Sequence, residues 1–174
     1  IRDRLRSRGL GDVYKRQVLK EVKRTEIANI TITCTDNIKS RLDLWNVLAK
    51  VPSSSYTDNN TPLYWMDFGN TKTAGQVVLG TVPKKIKQPV STMYETVGSL
   101  KVITRFVKYA RVKEVDSGPS CSLAEALEKQ DLFINSTLAQ LGCNILWKMF
   151  RHGMIEHHGL FLNLETMKVN PIGV

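Results

Sequence analysis

The spacing of hydrophobic and polar positions changes several times along this chain, and each change marks an element. Ile30, Thr31, Ile32 and Thr33 follow one another, a β-branched run that suits a packed, pleated strand. The period then becomes helical. Ile38, Leu42, Trp45 and Leu48/Ala49 recur at the spacing of one helix face and predict a helix over residues 38–50. Between the two runs lies the polar stretch Cys34-Thr35-Asp36-Asn37, which places Asp36 or Asn37 where a helix N-cap belongs. Residues 51–61 carry Pro52, three serines and Asp58-Asn59-Asn60, a density of turn formers that reads as a surface loop.

The same reading continues toward the C-terminus. Leu63-Tyr64-Trp65-Met66-Asp67-Phe68 reads as a strand, residues 69–75 as a turn and Gln76-Val77-Val78-Leu79-Gly80-Thr81 as the next strand. So short a connection predicts an antiparallel hairpin, and with it a mixed sheet. Leu100, Val102/Ile103, Phe106/Val107 and Ala110 predict a helix over residues 98–111, with Lys101, Arg105, Lys108, Arg111 and Lys113 on a solvated face. Ser122-Leu123-Ala124-Glu125 has capping-box spacing and opens another helix. Over residues 131–150, Ile134, Leu138, Leu141, Ile145 and Met149 form one stripe, widened by Leu132, Leu146 and Phe150. That pattern predicts a helix packed on a sheet face, with Cys143 in the core. Residues 159–164 and 167–170 read as a hairpin turning at Glu165-Thr166. Strands and helices so ordered predict an α/β fold, a mixed sheet packed by helices.

Composition narrows the class. A length of 174 residues, 42% of them hydrophobic, suffices for one domain with its own core. No run of about 18 apolar residues and no signal-peptide pattern is found, so a cytoplasmic protein without membrane contact is expected. Three cysteines with no CxxC pair argue against a disulfide framework and a cysteine zinc site. The net charge of +9 invites a nucleic-acid reading, but +4 of it lies in residues 1–17, leaving +5. No zinc-finger, RNP or homeodomain pattern accompanies that charge, so specific nucleic-acid recognition is not expected.

Few residues carry candidate chemistry. In open α/β sheets ligands bind past the carboxyl ends of strands, which makes Asp36 either a ligand-binding acid or a helix cap. Asp67 is either a functional acid at a sheet end or an outward-facing strand residue, and alternation favours the outward reading. Gly69-Asn70-Thr71-Lys72-Thr73 lacks the GxxxxGK-S/T spacing of a phosphate loop and precedes a strand. Cys121 lies beside a predicted helix start, where the dipole favours thiolate; a small core cysteine is the alternative. His152, His157 and His158 lack the spacing of a zinc site.

Three ordered blocks carry a family resemblance. Cys34-Thr35-Asp36-Asn37-Ile38-Lys39-Ser40-Arg41 resembles a strand-end CTDNxxxR motif. Residues 63–69 followed by Gly75-Gln76-Val77-Val78 resemble a strand, turn and GQV strand. Pro119-Ser120-Cys121 entering a long helix is similar to the segment where a catalytic cysteine precedes a helix. Together they resemble the ThiF superfamily of adenylating enzymes, relatives of the ubiquitin-activating enzymes, over about residues 25–174. Tyr64-Trp65-Met66-Asp67-Phe68-Gly69-Asn70 and residues 119–150 look closest to the ThiF-related family of PRTRC cassettes.

That resemblance implies the C-terminal part of a Rossmann-like ThiF fold. It also implies adenylation of the C-terminal carboxylate of a ubiquitin-like carrier protein with ATP and Mg²⁺. Asp36 matches the family's aspartate at the ATP–Mg²⁺ site, Asn37 is its neighbour in the motif, and Cys121 matches the thioester cysteine. Arg41 matches the motif arginine, although on the residues alone it equally reads as a helix-surface ion-pair partner. The resemblance admits a homodimer. Against it stand the missing glycine-rich loop, the missing upstream acid, arginine and lysine, and the missing zinc-binding CxxC pairs of many members. Residues 18–174 are therefore expected to be an incomplete ThiF-type domain that does not adenylate alone. A ThiF-like module that binds a ubiquitin-like partner without chemistry is the alternative. A dehydrogenase or methyltransferase is a further one, but the chain has no G-x-G-x-x-G.

Residues 1–17 have five Arg and no apolar periodicity, as expected of a disordered arm or foreign tail. Asp12-Val13-Tyr14-Lys15-Arg16-Gln17 back-translates to GAT GTG TAT AAG AGA CAG, which resembles a transposase mosaic-end sequencing adapter. The expected finding on reading the source DNA across these codons is that adapter. A natural gene running upstream without it refutes the expectation.

Overall fold

The computed structural model describes residues 27–35, 37–51, 61–88, 97–108 and 130–174. Asp36, Cys121, the helix expected from Ser122, Arg111, Lys113 and residues 1–17 lie outside them. The described chain forms an α/β unit around a five-stranded sheet in the order β1-β2-β3-β4-β5. The strands are β1 (Ile30–Thr33), β2 (Tyr64–Asn70), β3 (Ala74–Thr81), β4 (His157–Asn163) and β5 (Lys168–Gly173). The helices are α1 (Ile38–Lys50), the single turn α2 (Ile103–Phe106) and α3 (Ile134–His152).

The sheet is mixed, as the hydrophobic pattern predicts. β1 lies parallel to β2, with α1 as the crossover, and every other neighbouring pair is antiparallel. The β2–β3 strands run further into the expected turn than the pattern suggests, because Asn70 still pairs with Gly75. In the last hairpin the turn is made at residues 164–167, where Met167 has φ 53° and Asn163 Oδ1 accepts from the Thr166 N–H at 3.0 Å.

Alternation along β2 and β3 sends side chains to two covered faces. Tyr64, Met66, Val77 and Leu79 face α3, where they bury Ile134, Leu138, Ile145 and Met149 together with Leu160 and Leu162. Trp65 and Val78 face the other way, against Leu44 and Leu48 of α1 and Val102 and Ile103. A central strand covered on both faces reads as a continuous apolar run, as β2 does. Among the described residues no helix is long and apolar enough to cross a membrane.

Four expectations are corrected. The apolar stripe of α1 is rotated, since Ser40, Arg41, Leu44 and Leu48 are its buried residues and Leu42 is exposed. The hydrophobic count misplaced this face because one of the residues turned inward is an arginine. The helix over residues 98–111 is reduced to one turn. Here the chain instead runs against β3: the Thr81 N–H donates to Leu100 O at 3.1 Å, and the Leu100 N–H donates to Thr81 Oγ1 at 3.1 Å. Val102 then covers Gly80 so closely that a Cβ there would lie 2.5 Å from the Val102 Cα. Cys143, expected in the core, is exposed. It lies on the outer side of α3, where Leu132 and Phe150 are also exposed instead of widening the buried stripe.

His158 is the buried histidine of this fold. Its Nδ1 lies 2.6 Å from Leu79 O, so Nδ1 carries the proton and donates to the carbonyl. The ring also meets Phe106 at 5.7 Å between centroids. Burial pushes its pKa below the ordinary 6.5; the Leu79 carbonyl opposes that, and the Lys101 charge adds to it. Because the folded pKa is depressed, the unfolded chain takes up the proton first as pH falls. Stability is therefore complete above pH 6.5 and declines below it. Urea midpoints measured against pH should show this decline, and His158→Gln should remove that part of it.

Candidate functional site

The site begins where the two parallel strands end. Thr33 of β1 stands opposite Asp67 of β2, so the carboxyl ends of both strands lie side by side. The chain leaves β1 through Cys34 and Thr35 and enters α1 at Asn37, which has extended backbone and caps the helix. Its Oδ1 accepts from the Ser40 N–H at 2.7 Å. Asn37 thus makes the cap that composition offered to Asp36 or Asn37.

Arg41 points inward from the first turn of α1 and is 7% exposed. Its Nε donates to both carboxylate oxygens of Asp67, at 3.0 and 3.2 Å. Its Nη2 donates to Phe68 O at 2.9 Å and also to Thr35 O. One guanidinium therefore ties the exit of β1, the exit of β2 and the start of α1 together. Gly69 makes room for it, because a Cβ there would stand 2.8 Å from Nη2 and 2.5 Å from the Gln76 Nε2.

Asp67 is 0% exposed and is not the outward strand residue that alternation suggests. Both faces of β2 are covered, so a side chain on the α1 face turns into the protein. The carboxylate is held from the other side by Thr33, whose hydroxyl donates to Oδ1 at 2.6 Å. Thr33 in turn accepts the Trp65 indole N–H at 2.8 Å, and Trp45 of α1 stacks on Trp65 at 5.7 Å. Burial pushes the Asp67 carboxyl above the ordinary carboxylate range, while the Arg41 charge and the hydrogen bonds from Thr33 and Arg41 pull it back.

The cysteine of this stretch is not activated. Burial and then the Asp67 charge push the Cys34 thiol up, and Arg41 only partly offsets them. The nucleophile expected from the sequence, Cys121, and the expected metal ligand, Asp36, lie outside the described residues. Their described neighbours are informative. The Thr35 carbonyl is bound by Arg41, and Asn37 is bound into the cap. The Thr35 hydroxyl is buried and has no hydrogen-bond partner. A buried donor without a partner costs about 1–3 kcal/mol and calls for an explanation, such as a ligand atom.

The sequence motif placed Asn37 and Arg41 correctly at this strand end. It missed Asp67 as the partner of Arg41 and did not distinguish Thr35. The signal for Asp67 was an acid inside an otherwise apolar strand, since a buried charge requires a partner. The three histidines do not come together: His158 is buried against Leu79, while His152 and His157 are exposed. Among the described residues no cluster of His, Cys, Asp and Glu could hold a metal ion. A separate cleft of about 250 Å³ between Thr71, Gln76, Phe161, Asn163 and Asn170 includes none of the residues singled out above. Compared with protein-family models and with curated proteins, the chain matches none.

Removing one member of the buried pair strands the other charge. Arg41→Met or Asp67→Leu alone should cost about 3–5 kcal/mol in denaturant unfolding. The double variant should lose much less than the sum, because neither charge then remains unpaired. Additive losses in that cycle contradict the assignment.

Proposed function

We propose that residues 27–174 form the C-terminal part of a Rossmann-like, ThiF-type nucleotide-binding domain. In this reading the protein activates the C-terminal carboxylate of a ubiquitin-like carrier as an acyl-adenylate. The observation that carries the reading is the orphan hydroxyl of Thr35. It is buried, unpartnered and next to Asp36 in sequence, at the carboxyl end of a parallel strand and before a capped helix. Such strand ends are where α/β sheets hold ligands, and the helix N-terminus favours the anionic phosphates of a nucleotide. The ordered motifs around Asp36, Gly75-Gln76-Val77 and Cys121 give this position its chemical meaning.

The donor set suits Mg²⁺–ATP. Asp36 would supply a hard carboxylate oxygen to Mg²⁺, and Thr35 would donate to a phosphate oxygen or a metal-bound water. When bound, Mg²⁺–ATP supplies the AMP leaving group that turns a carboxylate into an acyl donor. Arg41 acts as a positioning residue. Its Nε and Nη2 are engaged with Asp67, Phe68 and Thr35, so it orients the strand exits and does not reach for the nucleotide through these atoms. Cys121 would take the acyl group as a thioester, its thiolate displacing AMP from the acyl carbon. Cys34 does not serve that role, because its thiol stays protonated.

The test is ATP–pyrophosphate exchange by the full gene product with its carrier. Asp36→Ala should reduce exchange to background without changing the melting temperature. Thr35→Val should lower it by about tenfold, the worth of roughly one hydrogen bond. Unchanged exchange in Asp36→Ala removes Asp36 from the site.

A further inference from the structure

The outer side of α3 is apolar where a solvated helix should be polar. Trp147 is 63% exposed and Phe150 67%. With Ser136, Gln140 and Cys143 they fall at alternating spacings of four and three residues, a straight seam on the side opposite the buried Leu138, Gly142, Ile145 and Met149. No charged residue lies in that seam. Leu132 and Phe133 extend it before the helix and Met154 after it, all three exposed. Patches this large on a soluble surface mark an interaction site.

We propose that this face pairs with a second copy of the chain, antiparallel and two-fold symmetric, with Cys143 at the axis. Size complementarity points to the arrangement. The seam is small in its N-terminal half and bulky in its C-terminal half. Reversing one helix about Cys143 sets Trp147 over Ala139 and Gln140 of the partner helix and Phe150 over its Ser136. Parallel pairing would instead crowd the aromatic residues against each other and leave the small ones facing a gap.

Charge complementarity gives the same direction. The seam is flanked by Lys148 and Arg151 at its C-terminal end, α3 contains no acid, and Asp131 precedes its first turn. Antiparallel pairing brings the cationic end of each helix toward the Asp131 end of the other and opposes the two helix dipoles favourably. Parallel pairing would place the four cations together. Area is sufficient as well. Exposed aromatic side chains offer roughly 150–250 Å² each. Phe133, Trp147 and Phe150, with Leu132, Met154 and the small residues of the seam, therefore approach the roughly 800 Å² per partner of a standard interface. This inference stands apart from the adenylation reading, since α3 packs against the opposite side of the sheet from Arg41 and Asp67.

The experiment uses the full 174-residue chain in a Cys34→Ser, Cys121→Ser background. Sedimentation should give a dimer, and Trp147→Glu, at an exposed position, should abolish it with the circular dichroism unchanged. With diamide as oxidant, two Cys143 thiols should form one intermolecular disulfide, giving their two electrons and two protons to diamide. Trp147→Glu should lose that cross-link. A monomer at all concentrations overturns the proposal. In that case the emission removed by Trp147→Phe identifies the occupant: a buried Trp147 means another part of the chain covers the seam, and a water-exposed one means a different protein does. A dimer that survives Trp147→Glu overturns it too, and a Trp147-dependent dimer that never cross-links through Cys143 overturns the antiparallel register.

Discussion

The buried pair of Arg41 and Asp67 is the constraint on which the rest of this sheet end depends. Two charges are removed from water there, and desolvation of that kind is recovered only when every donor and acceptor is used well. The protein meets that condition by spending backbone and side chains on it. Asp67 accepts from Thr33 and Arg41, Thr33 accepts from Trp65, and Arg41 reaches the carbonyls of Thr35 and Phe68. Helix α1 cannot rotate or slide along the sheet without breaking this set. The pair thereby sets the direction in which the chain leaves β1, and so the ground on which Thr35 and Asn37 stand.

The stacking of Trp45 on Trp65 closes the network against solvent. Water excluded from Thr33 and Asp67 strengthens their interactions with Arg41, and the same exclusion makes loss of one partner severe. The carboxylate and guanidinium at this strand end act on structure, leaving the orphan Thr35 hydroxyl as the described polar group with capacity to spare. Rigid support beneath a turn with an unfilled donor is the arrangement a binding site requires.

The two faces of the sheet are used differently. On one, α1 and the segment around Val102 build the polar network and a small core with Trp65 and Val78. On the other, α3 covers the larger apolar core and carries a second apolar side outward. A helix with apolar residues on opposite sides is designed for two neighbours. The sheet supplies one, and the outer seam carries the association surface of this chain.

The residues themselves determined much of this architecture. The β-branched run before a helical period placed β1 and α1. The brief connection between apolar runs forced an antiparallel β2–β3 hairpin, and the stripe from Ile134 to Met149 placed α3 on the sheet. These are local properties, written in side-chain period and turn chemistry. What only the tertiary structure decided is where polarity contradicts the pattern. Arg41 lies in the core because Asp67 awaits it there, and Asp67 turns inward because β2 is covered on both sides. Residues 97–102 stay extended because Thr81 takes the hydrogen bonds of Leu100, and Cys143 faces outward because the sheet needs only one side of α3. Partners from distant parts of the chain settle each of these, and the period along a sequence carries no record of what packs across it.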